Sequence, residues 1–196
     1  MTDIITADAA GLASGAEKGV SGATVWLTGL PSAGKTTIAR ALGAALRAAG
    51  RRVEVLDGDE LRTHLTAGLG FSRQDRDTNV SRVGFVARLL ARNGTIVLVP
   101  VIAPYADARA RVRAQHDADG AAFIEVHVAT AVDVCADRDV KGLYAKQRAG
   151  EMSGLTGVDD PYEIPQSPEL RLDTAGRGVD EVAEEVFALL RERGLA

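Results

Sequence analysis

Apolar residues follow two alternating patterns along most of the chain, beginning at residue 23. Short continuous apolar runs are typical of strands buried on both faces, and apolar residues three or four positions apart are typical of amphipathic helices. Strands that alternate with helices predict an α/β fold, in which a parallel sheet is wrapped by helices on both faces. The predicted strands are 25–28, 53–56, 95–101, 123–128 and 170–172, and the predicted helices are 38–49, 80–90, 106–116, 131–137 and 179–190.

Two segments lack this periodicity. Residues 1–22 are rich in Ala, Gly, Ser and Thr, and we expect a loosely ordered N-terminal extension there. Residues 139–169 form a polar segment with four glycines and three prolines. Such a long segment without periodicity is unusual in a compact domain, and its typical use is as an active-site lid. The 196 residues therefore predict one domain, residues 23–196, that carries this lid.

Composition excludes several classes of function. The formal net charge is −4 and like charges do not occur in long blocks, which argues against a nucleic-acid or membrane-surface binder. The single cysteine, Cys135, excludes an internal disulfide framework and a paired-cysteine zinc site, and it favours a reducing cytosol. The longest apolar run, residues 96–104, is too short for a bilayer, which needs about 20 residues. We therefore expect a soluble cytoplasmic protein.

The sequence GLPSAGKT at residues 29–36 matches the phosphate-binding loop pattern GxxxxGK[ST]. Glycines let successive backbone N–H groups converge on phosphate oxygens at the positive end of a helix. Lys35 is expected to neutralise the β- and γ-phosphates of a nucleotide, and the Thr36 hydroxyl is expected to join the shell of a Mg²⁺ ion. A strand before the motif and a helix after it supply the required context. This motif predicts a three-layer P-loop fold that binds a nucleotide.

Two aspartates follow the second predicted strand. The strand at 95–101 carries no carboxylate, whereas Asp57 and Asp59 flank Gly58 in the sequence DGD. Their spacing of two predicts that both carboxylates point to one side of an extended segment. A small-molecule kinase needs such a carboxylate beside the acceptor hydroxyl, to orient it and to take its proton.

Basic residues near these motifs suit an oxyanion substrate, because guanidinium groups pair with phosphate or sulfate. Arg62 lies three residues after Asp59, and Arg76 and Asn79 share one face of a predicted helix. The predicted lid and its start supply four further cations that are expected to close over a polyphosphate: Arg138, Lys141, Lys146 and Arg148.

Four blocks of sequence together resemble the adenylylsulfate kinase (APS kinase) family of P-loop kinases. They are GLPSAGKTT, LDGDELR, GFSRQDRDTNVSRVG and RDVKGLYAKQRAGEMSGLTGVDDPYE, and their order and spacing cover about residues 24–175. The last block is the most specific, because a generic phosphate-loop kinase has no reason to carry KGLY followed by TGxDDPYE.

The resemblance implies a role for individual residues. Asp59, Lys35 and Lys141 would be catalytic, with Asp59 at the ribose 3′-hydroxyl of the acceptor and Lys141 reaching from the lid to phosphate. The acceptor would also be bound by Arg62, Arg76 and Asn79 at its sulfo-phosphate portion, by Phe71 stacking on its adenine, by the backbone of Ile102 and by Leu155. ATP would be held by Gly29, Leu30, Pro31, Ser32, Ala33, Gly34, Lys35, Thr36, Thr37 and Arg138.

Three residues depart from the pattern of the family. Ser81 stands where the family often has an arginine, in the sequence NIRR. Leu155 stands where it often has phenylalanine, so that an adenine sandwich would have one aromatic side. Ala103 stands where many members have serine, so the enzyme cannot be phosphorylated at that position. The first two departures bear on affinity and on the choice of acceptor rather than on the type of reaction.

The resemblance implies that the γ-phosphate of ATP is transferred, with Mg²⁺, to the 3′-hydroxyl of adenylylsulfate. Two alternatives stay open from the sequence, a P-loop kinase of another small hydroxyl compound and a non-catalytic nucleotide-sensing domain. The expected partners are ATP and adenylylsulfate, with no nucleic acid and no membrane. The sequence leaves open a homodimer and an association with an ATP sulfurylase.

Overall fold

The computed structural model describes residues 21–196, so almost all of the predicted N-terminal extension lies outside the described residues. Within them, five strands form one sheet in the order β2–β3–β1–β4–β5, and every pairing is parallel. The strands are β1 Ala23–Thr28, β2 Val53–Val55, β3 Ile96–Pro100, β4 Ala122–Val128 and β5 Leu170–Leu172. All five predicted strands are confirmed. β1 and β3 are buried along their whole length, as their apolar runs predict.

Seven helices connect and cover these strands within residues 21–196. They are α1 Lys35–Ala48, α2 Gly58–His64, α3 Arg73–Ala91, α4 Ala106–Ala118, α5 Val132–Arg138, α6 Leu143–Arg148 and α7 Val179–Glu192. Helix α3 begins seven residues before the predicted helix, where the Ser72 hydroxyl accepts a hydrogen bond from the backbone N–H of Asp75. This capping bond starts a helix whose first two turns are polar.

Two short helices were not predicted, and one of them corrects the expected geometry of the aspartates. The segment after β2 turns directly into α2, so Asp57 and Asp59 do not share one side of an extended segment. Asp57 is the N-cap of α2 and its Oδ1 accepts from the backbone N–H of Asp59 at 3.0 Å, whereas Asp59 lies in the first helical turn. Helices α2 and α6 have seven and six residues, and α2 buries none of them. Neither helix therefore has an apolar stripe that a periodicity argument could detect.

The core lies in two layers, one on each face of the sheet. Val25 and Leu27 of β1 point into a cluster with α1 and α7, and Trp26 between them points into a second cluster with α3 and α4. This alternation across one strand is what a sheet covered on both faces requires. The three-layer α/β arrangement is confirmed.

The parallel sheet brings five connections to one edge, because the carboxyl ends of parallel strands all meet there. After β1 comes the phosphate loop, after β2 comes the DGD sequence, and after β3 comes the loop with Ile102. Thr130 and Thr174 follow β4 and β5 at the same edge. The candidate functional residues from distant parts of the chain therefore meet at this edge.

Among residues 21–196, no helix combines the length and the apolar character that crossing a bilayer requires.

The packing of α7 predicts how much one of its side chains contributes to the free energy of unfolding. Leu190 is completely buried in the cluster with α1, whereas its neighbour Leu189 is only partly buried. We expect Leu190→Ala to lower the free energy of unfolding by about 2–5 kcal/mol, because it removes buried methyl groups and leaves a cavity. Urea denaturation of the two variants measures this, with Leu189→Ala as the matched control. Equal losses at both positions would contradict the packing described here.

Candidate active site

The phosphate loop is shaped by two glycines with backbone conformations that other residues rarely adopt. Gly29 has φ +155°, and a Cβ built on it would lie 2.4 Å from the carbonyl oxygen of Val128. Gly34 has φ +104° and immediately precedes the first turn of α1. Because the loop ends at the N-terminus of a helix, its backbone N–H groups suit an anion.

Lys35 folds back onto the loop that precedes it. The side chain is 8% exposed, and Nζ donates to the carbonyl oxygens of Gly29 at 2.9 Å and Leu30 at 2.6 Å. Burial lowers the pKa of Lys35 to about 7; Cys135 opposes this shift, and the positive charge of Lys141 adds to it to a lesser extent. Part of the Lys35 population is therefore uncharged at neutral pH, and a bound anion would favour its charged form.

Two threonines hold the phosphate loop from behind. The hydroxyls of Thr130 and Thr174 each donate to the carbonyl oxygen of Ala33 at 3.1 Å and lie 2.7 Å from each other. Arg138 donates to both Thr174 oxygens at 2.8 Å, so this predicted ATP-binding residue lies at the loop. The sequence reasoning missed both threonines, although each lies two residues after a predicted strand, where the loops of an α/β site begin.

Asp59 and Lys141 are in direct contact, although 82 residues separate them in the sequence. Lys141 Nζ donates to Oδ1 of Asp59 at 2.7 Å and to Oδ2 at 2.6 Å. Both side chains are more than half exposed. Asp57 makes different contacts from Asp59: it caps α2 and pairs with Arg40 at 3.1 Å. The structure therefore distinguishes the two aspartates of the DGD sequence.

Phe71 lies between two of the predicted oxyanion-binding arginines. The guanidinium carbons of Arg62 and Arg76 are 5.2 Å and 5.9 Å from the centre of the Phe71 ring. The phenylalanine is 59% exposed, which is unusual for a large apolar side chain. An exposed aromatic face between two cations suits an aromatic ligand that carries an anionic group.

Arg76 also connects α3 to the predicted lid. It donates to the Gly154 carbonyl at 2.6 Å and to the Thr156 hydroxyl at 2.5 Å, and it pairs with Asp160 at 3.3 Å. Its Nε donates to the Phe71 carbonyl at 2.8 Å. Arg76 is thus held by the protein itself in this structure.

Three other predicted acceptor residues are placed less directly. Asn79 is half-buried on α3, one turn after Arg76, and Ile102 is half-buried two residues after the end of β3. Leu155 is only 3% exposed and packs into the cluster of α1 and α7, rather than on the open surface with Phe71. The contact of Leu155 with a base stays a prediction, and it requires the segment around Leu155 to move out of this cluster.

Residues 139–169, the predicted lid, cover the phosphate loop. The Tyr144 hydroxyl of α6 donates to the Pro31 carbonyl at 3.1 Å. Gly157 approaches Leu30 so closely that a Cβ on it would lie 2.4 Å from the leucine side chain. These two contacts hold the segment against the loop at separate points.

Comparisons with known proteins agree with this geometry. The sequence profile of the family described as Adenylylsulphate kinase matches residues 21–173. The adenylyl-sulfate kinase of Rippkaea orientalis is 54% identical over 173 residues, which are 88% of this chain and 93% of that protein. A probable bifunctional SAT/APS kinase 2 of Sorangium cellulosum is 49% identical over 89% of this chain and 29% of its own length.

A solved structure shows the same fold at high identity. The Mycobacterium tuberculosis APS kinase in complex with AMPPNP and APS has 48% sequence identity and a TM-score of 0.84, covering 87% of this chain and 98% of that one. The family profile extends from the start of the described residues through β5, and both the phosphate loop and the DGD sequence lie within it. This chain therefore belongs to the adenylylsulphate kinase family of P-loop kinases.

Proposed function

We propose that this protein is an adenylylsulfate kinase, which transfers the γ-phosphate of ATP to the 3′-hydroxyl of adenylylsulfate. The products are ADP and 3′-phosphoadenylylsulfate. The observation that carries the proposal is the contact of Asp59 with Lys141 beside an intact phosphate loop. A relative of 48% identity is solved with AMPPNP and APS together, which supports both substrates.

ATP binds with its phosphates on the loop of residues 29–37. The backbone N–H groups at the start of α1 and the ammonium group of Lys35 neutralise the phosphate charge. Arg138 lies behind the loop on Thr174 and adds a further positive charge. ATP draws Lys35 away from the Gly29 and Leu30 carbonyls, because a phosphate oxygen is a stronger acceptor for an ammonium group than a neutral carbonyl.

The residues present fit a Mg²⁺ ion that arrives with ATP. Mg²⁺ takes oxygen ligands and is usually held by one or two protein groups together with substrate phosphates and water. The Thr36 hydroxyl lies in the first turn of α1, directly after the loop, and supplies such an oxygen. Among residues 21–196 no cluster of three metal-binding side chains occurs, so the ion would depend on the phosphates. When bound, it would neutralise charge on the transferred phosphoryl group.

The acceptor binds beside Asp59, opposite the phosphates of ATP. The 3′-hydroxyl oxygen forms the new bond to the γ-phosphorus while the bond to the β-phosphate oxygen breaks and ADP leaves. Asp59 takes the proton of the hydroxyl, and Lys141 turns from the carboxylate to the transferred phosphoryl group. Arg62, Arg76 and Phe71 hold the sulfo-phosphate portion and the adenine.

The proposal also covers binding partners and cellular location, which stay predictions. A relative that joins SAT and APS kinase in one name supports an association with an ATP sulfurylase. A homodimer stays open, and a cytoplasmic location stays a prediction from the sequence.

Incubation of the protein with Mg-ATP and adenylylsulfate tests the reaction. We expect 3′-phosphoadenylylsulfate and ADP in equal amounts, measured by ion-exchange chromatography. Parallel reactions with adenosine, AMP and gluconate test other hydroxyl acceptors. ADP release that is faster with one of these, or that gives no 3′-phosphorylated product, would overturn the proposal.

Asp59→Asn is expected to lower kcat by about 10²–10⁴-fold, because it removes the base and keeps the shape. The KM for ATP should change much less, since the loop of residues 29–37 holds the phosphates. The measurement is steady-state ADP release with either substrate varied. Titrations of ATP with and without Mg²⁺ separate an effect on the metal from one on the nucleotide.

Glu60→Gln is the matched control for this variant. It removes the same charge from the next residue of α2, whose side chain makes no hydrogen bond within residues 21–196. We expect it to keep wild-type turnover. A general base contributes at least about 10²-fold to the rate. If Asp59→Asn keeps more than about half of the wild-type turnover, Asp59 is therefore not the general base.

ATP binding at pH 8 is expected to take up about one proton from solvent, because Lys35 has a pKa of about 7 before binding and a higher one beside phosphate. The uptake should decrease as the pH falls below 7, where Lys35 already carries its proton. Calorimetric titrations in buffers of different ionisation enthalpy count the protons. Lys35→Arg, whose guanidinium stays charged, should bind without uptake. Equal uptake by that variant would assign the proton to another group.

A further inference from the structure

Three successive carbonyls after β3 are each held by a different segment of the chain. The Ile102 carbonyl accepts from the Thr28 hydroxyl at 2.5 Å, and the Ala103 carbonyl accepts from Arg109 Nη1 at 2.7 Å. The Pro104 carbonyl accepts from the backbone N–H of Glu163 at 2.8 Å. The loop of residues 102–104 is therefore fixed from outside rather than by its own turn.

Ala103 shows that this external support is needed. Its φ is +43°, in a region that an alanine rarely occupies. Such a conformation persists only where the surrounding structure imposes it. Ala103 is buried, and its carbonyl is bound by Arg109, which also donates to the Glu163 carbonyl at 2.6 Å. The end of the predicted lid thus holds the loop that carries Ile102.

Tyr162 lies at the centre of this support. Its hydroxyl oxygen is 3.0 Å from Oγ1 of Thr28. Thr28 has one hydroxyl hydrogen and gives it to the Ile102 carbonyl, so the Tyr162 hydroxyl must be the donor to Thr28. The Tyr162 ring is held by the ring of His127, with centroids 5.8 Å apart. The guanidinium carbon of Arg109 lies 5.9 Å from the centre of the Tyr162 ring.

We infer that Tyr162 is a positioning residue for the acceptor, which holds the Ile102 carbonyl in place through the hydroxyl of Thr28. This inference rests on the proposed function and on the contact between the Ile102 backbone and the acceptor that the family resemblance implies. Tyr144 does the equivalent for the donor side, because its hydroxyl donates to Pro31 of the phosphate loop. The predicted lid therefore carries two tyrosines, and each fixes the loop of one substrate.

Burial keeps the Tyr162 hydroxyl protonated, so that it can donate a hydrogen bond. Burial raises the pKa of Tyr162 to about 12, against smaller opposite effects of Thr28 and Arg109. Burial, together with the charges of Arg171 and Arg109, lowers the pKa of His127 to about 4, so the stacked ring is neutral. Tyr162 and His127 therefore stay neutral around pH 7, and the hydrogen bond from Tyr162 to Thr28 is present there.

Tyr162→Phe removes this hydrogen bond and keeps the ring. We expect the KM for adenylylsulfate to rise about three- to tenfold, the effect of one hydrogen bond. The kcat and the KM for ATP should stay within about twofold, because the bond does not reach the phosphate loop. Tyr144→Phe should do the reverse and raise the KM for ATP. Tyr105→Phe is the second control, since the Tyr105 hydroxyl makes no hydrogen bond within residues 21–196, and neither KM should change.

A double-mutant cycle separates positioning from a general loss of structure. Thr28→Val removes the group through which Tyr162 acts, and Thr28→Ser keeps its hydroxyl. If the inference holds, Tyr162→Phe adds nothing to the acceptor KM of Thr28→Val, while its full effect remains in Thr28→Ser. Independent effects in both backgrounds would overturn the inference.

Hydrogen exchange gives a readout that does not depend on turnover. The backbone N–H of Ala106 donates to the Glu163 side chain, and that of Glu163 donates to the Pro104 carbonyl. In Tyr162→Phe these two amides should exchange faster than in the wild type, and those of α1 should not. If the wild type does not phosphorylate adenylylsulfate, the proposed function fails, and the exchange rates still decide whether Tyr162 holds the loop. Unchanged exchange and an unchanged acceptor KM would overturn the inference, as would an equal loss in kcat and in both KM values.

Discussion

The close approach of Gly29 to the backbone of β4 is the constraint on which the site depends. No side chain fits within 2.4 Å of the Val128 carbonyl, so the chain can leave β1 in this direction only with glycine. Thr130 then holds the following loop at its Ala33 carbonyl, and residues 139–169 contact it at Pro31 and Leu30. The phosphate loop is thus fixed by the strands beside it and by residues 139–169 above it.

Polar contacts dominate the junction between the predicted lid and the rest of the domain. Asp59 pairs with Lys141, and Arg76 binds the segment around Gly154. Both side chains of the Asp59–Lys141 pair are more than half exposed, and exposed ion pairs contribute about 0–1 kcal/mol, so this pair can form and break at little cost. The Arg76 side chain is only 11% exposed, and it binds the predicted lid through hydrogen bonds to Gly154 and Thr156 as well as through its pair with Asp160. Leu155 and Tyr144 are the buried parts of the same segment, and they fix where it rests on the domain.

The layers of the fold could be predicted from the sequence because their helices and strands have strong apolar periodicity. Helix α1 and helix α7 bury every third or fourth residue, whereas α2 is too short and too polar to show such a pattern. The phosphate loop and Asp59 were recognisable because their chemistry is local in sequence. Thr174 and Tyr162 were not, since each acts on an atom more than 130 residues away and no local pattern records such a contact. The burial of Leu155 was missed for the same reason.

The contacts of Arg76 have a consequence for how tightly an acceptor can be held. An anion that binds this guanidinium through two N–H groups competes with Gly154, Thr156 or Asp160 for at least one of them, so the segment closed over the site and the ligand share the same group. The measured dissociation constant is then the intrinsic one divided by the fraction of molecules in which Arg76 is released. Weakening a contact that never touches the ligand, such as the one with Asp160, would strengthen its binding. If Arg76 binds the acceptor as proposed, the affinity of the acceptor depends on the contacts that Arg76 makes in the unliganded protein.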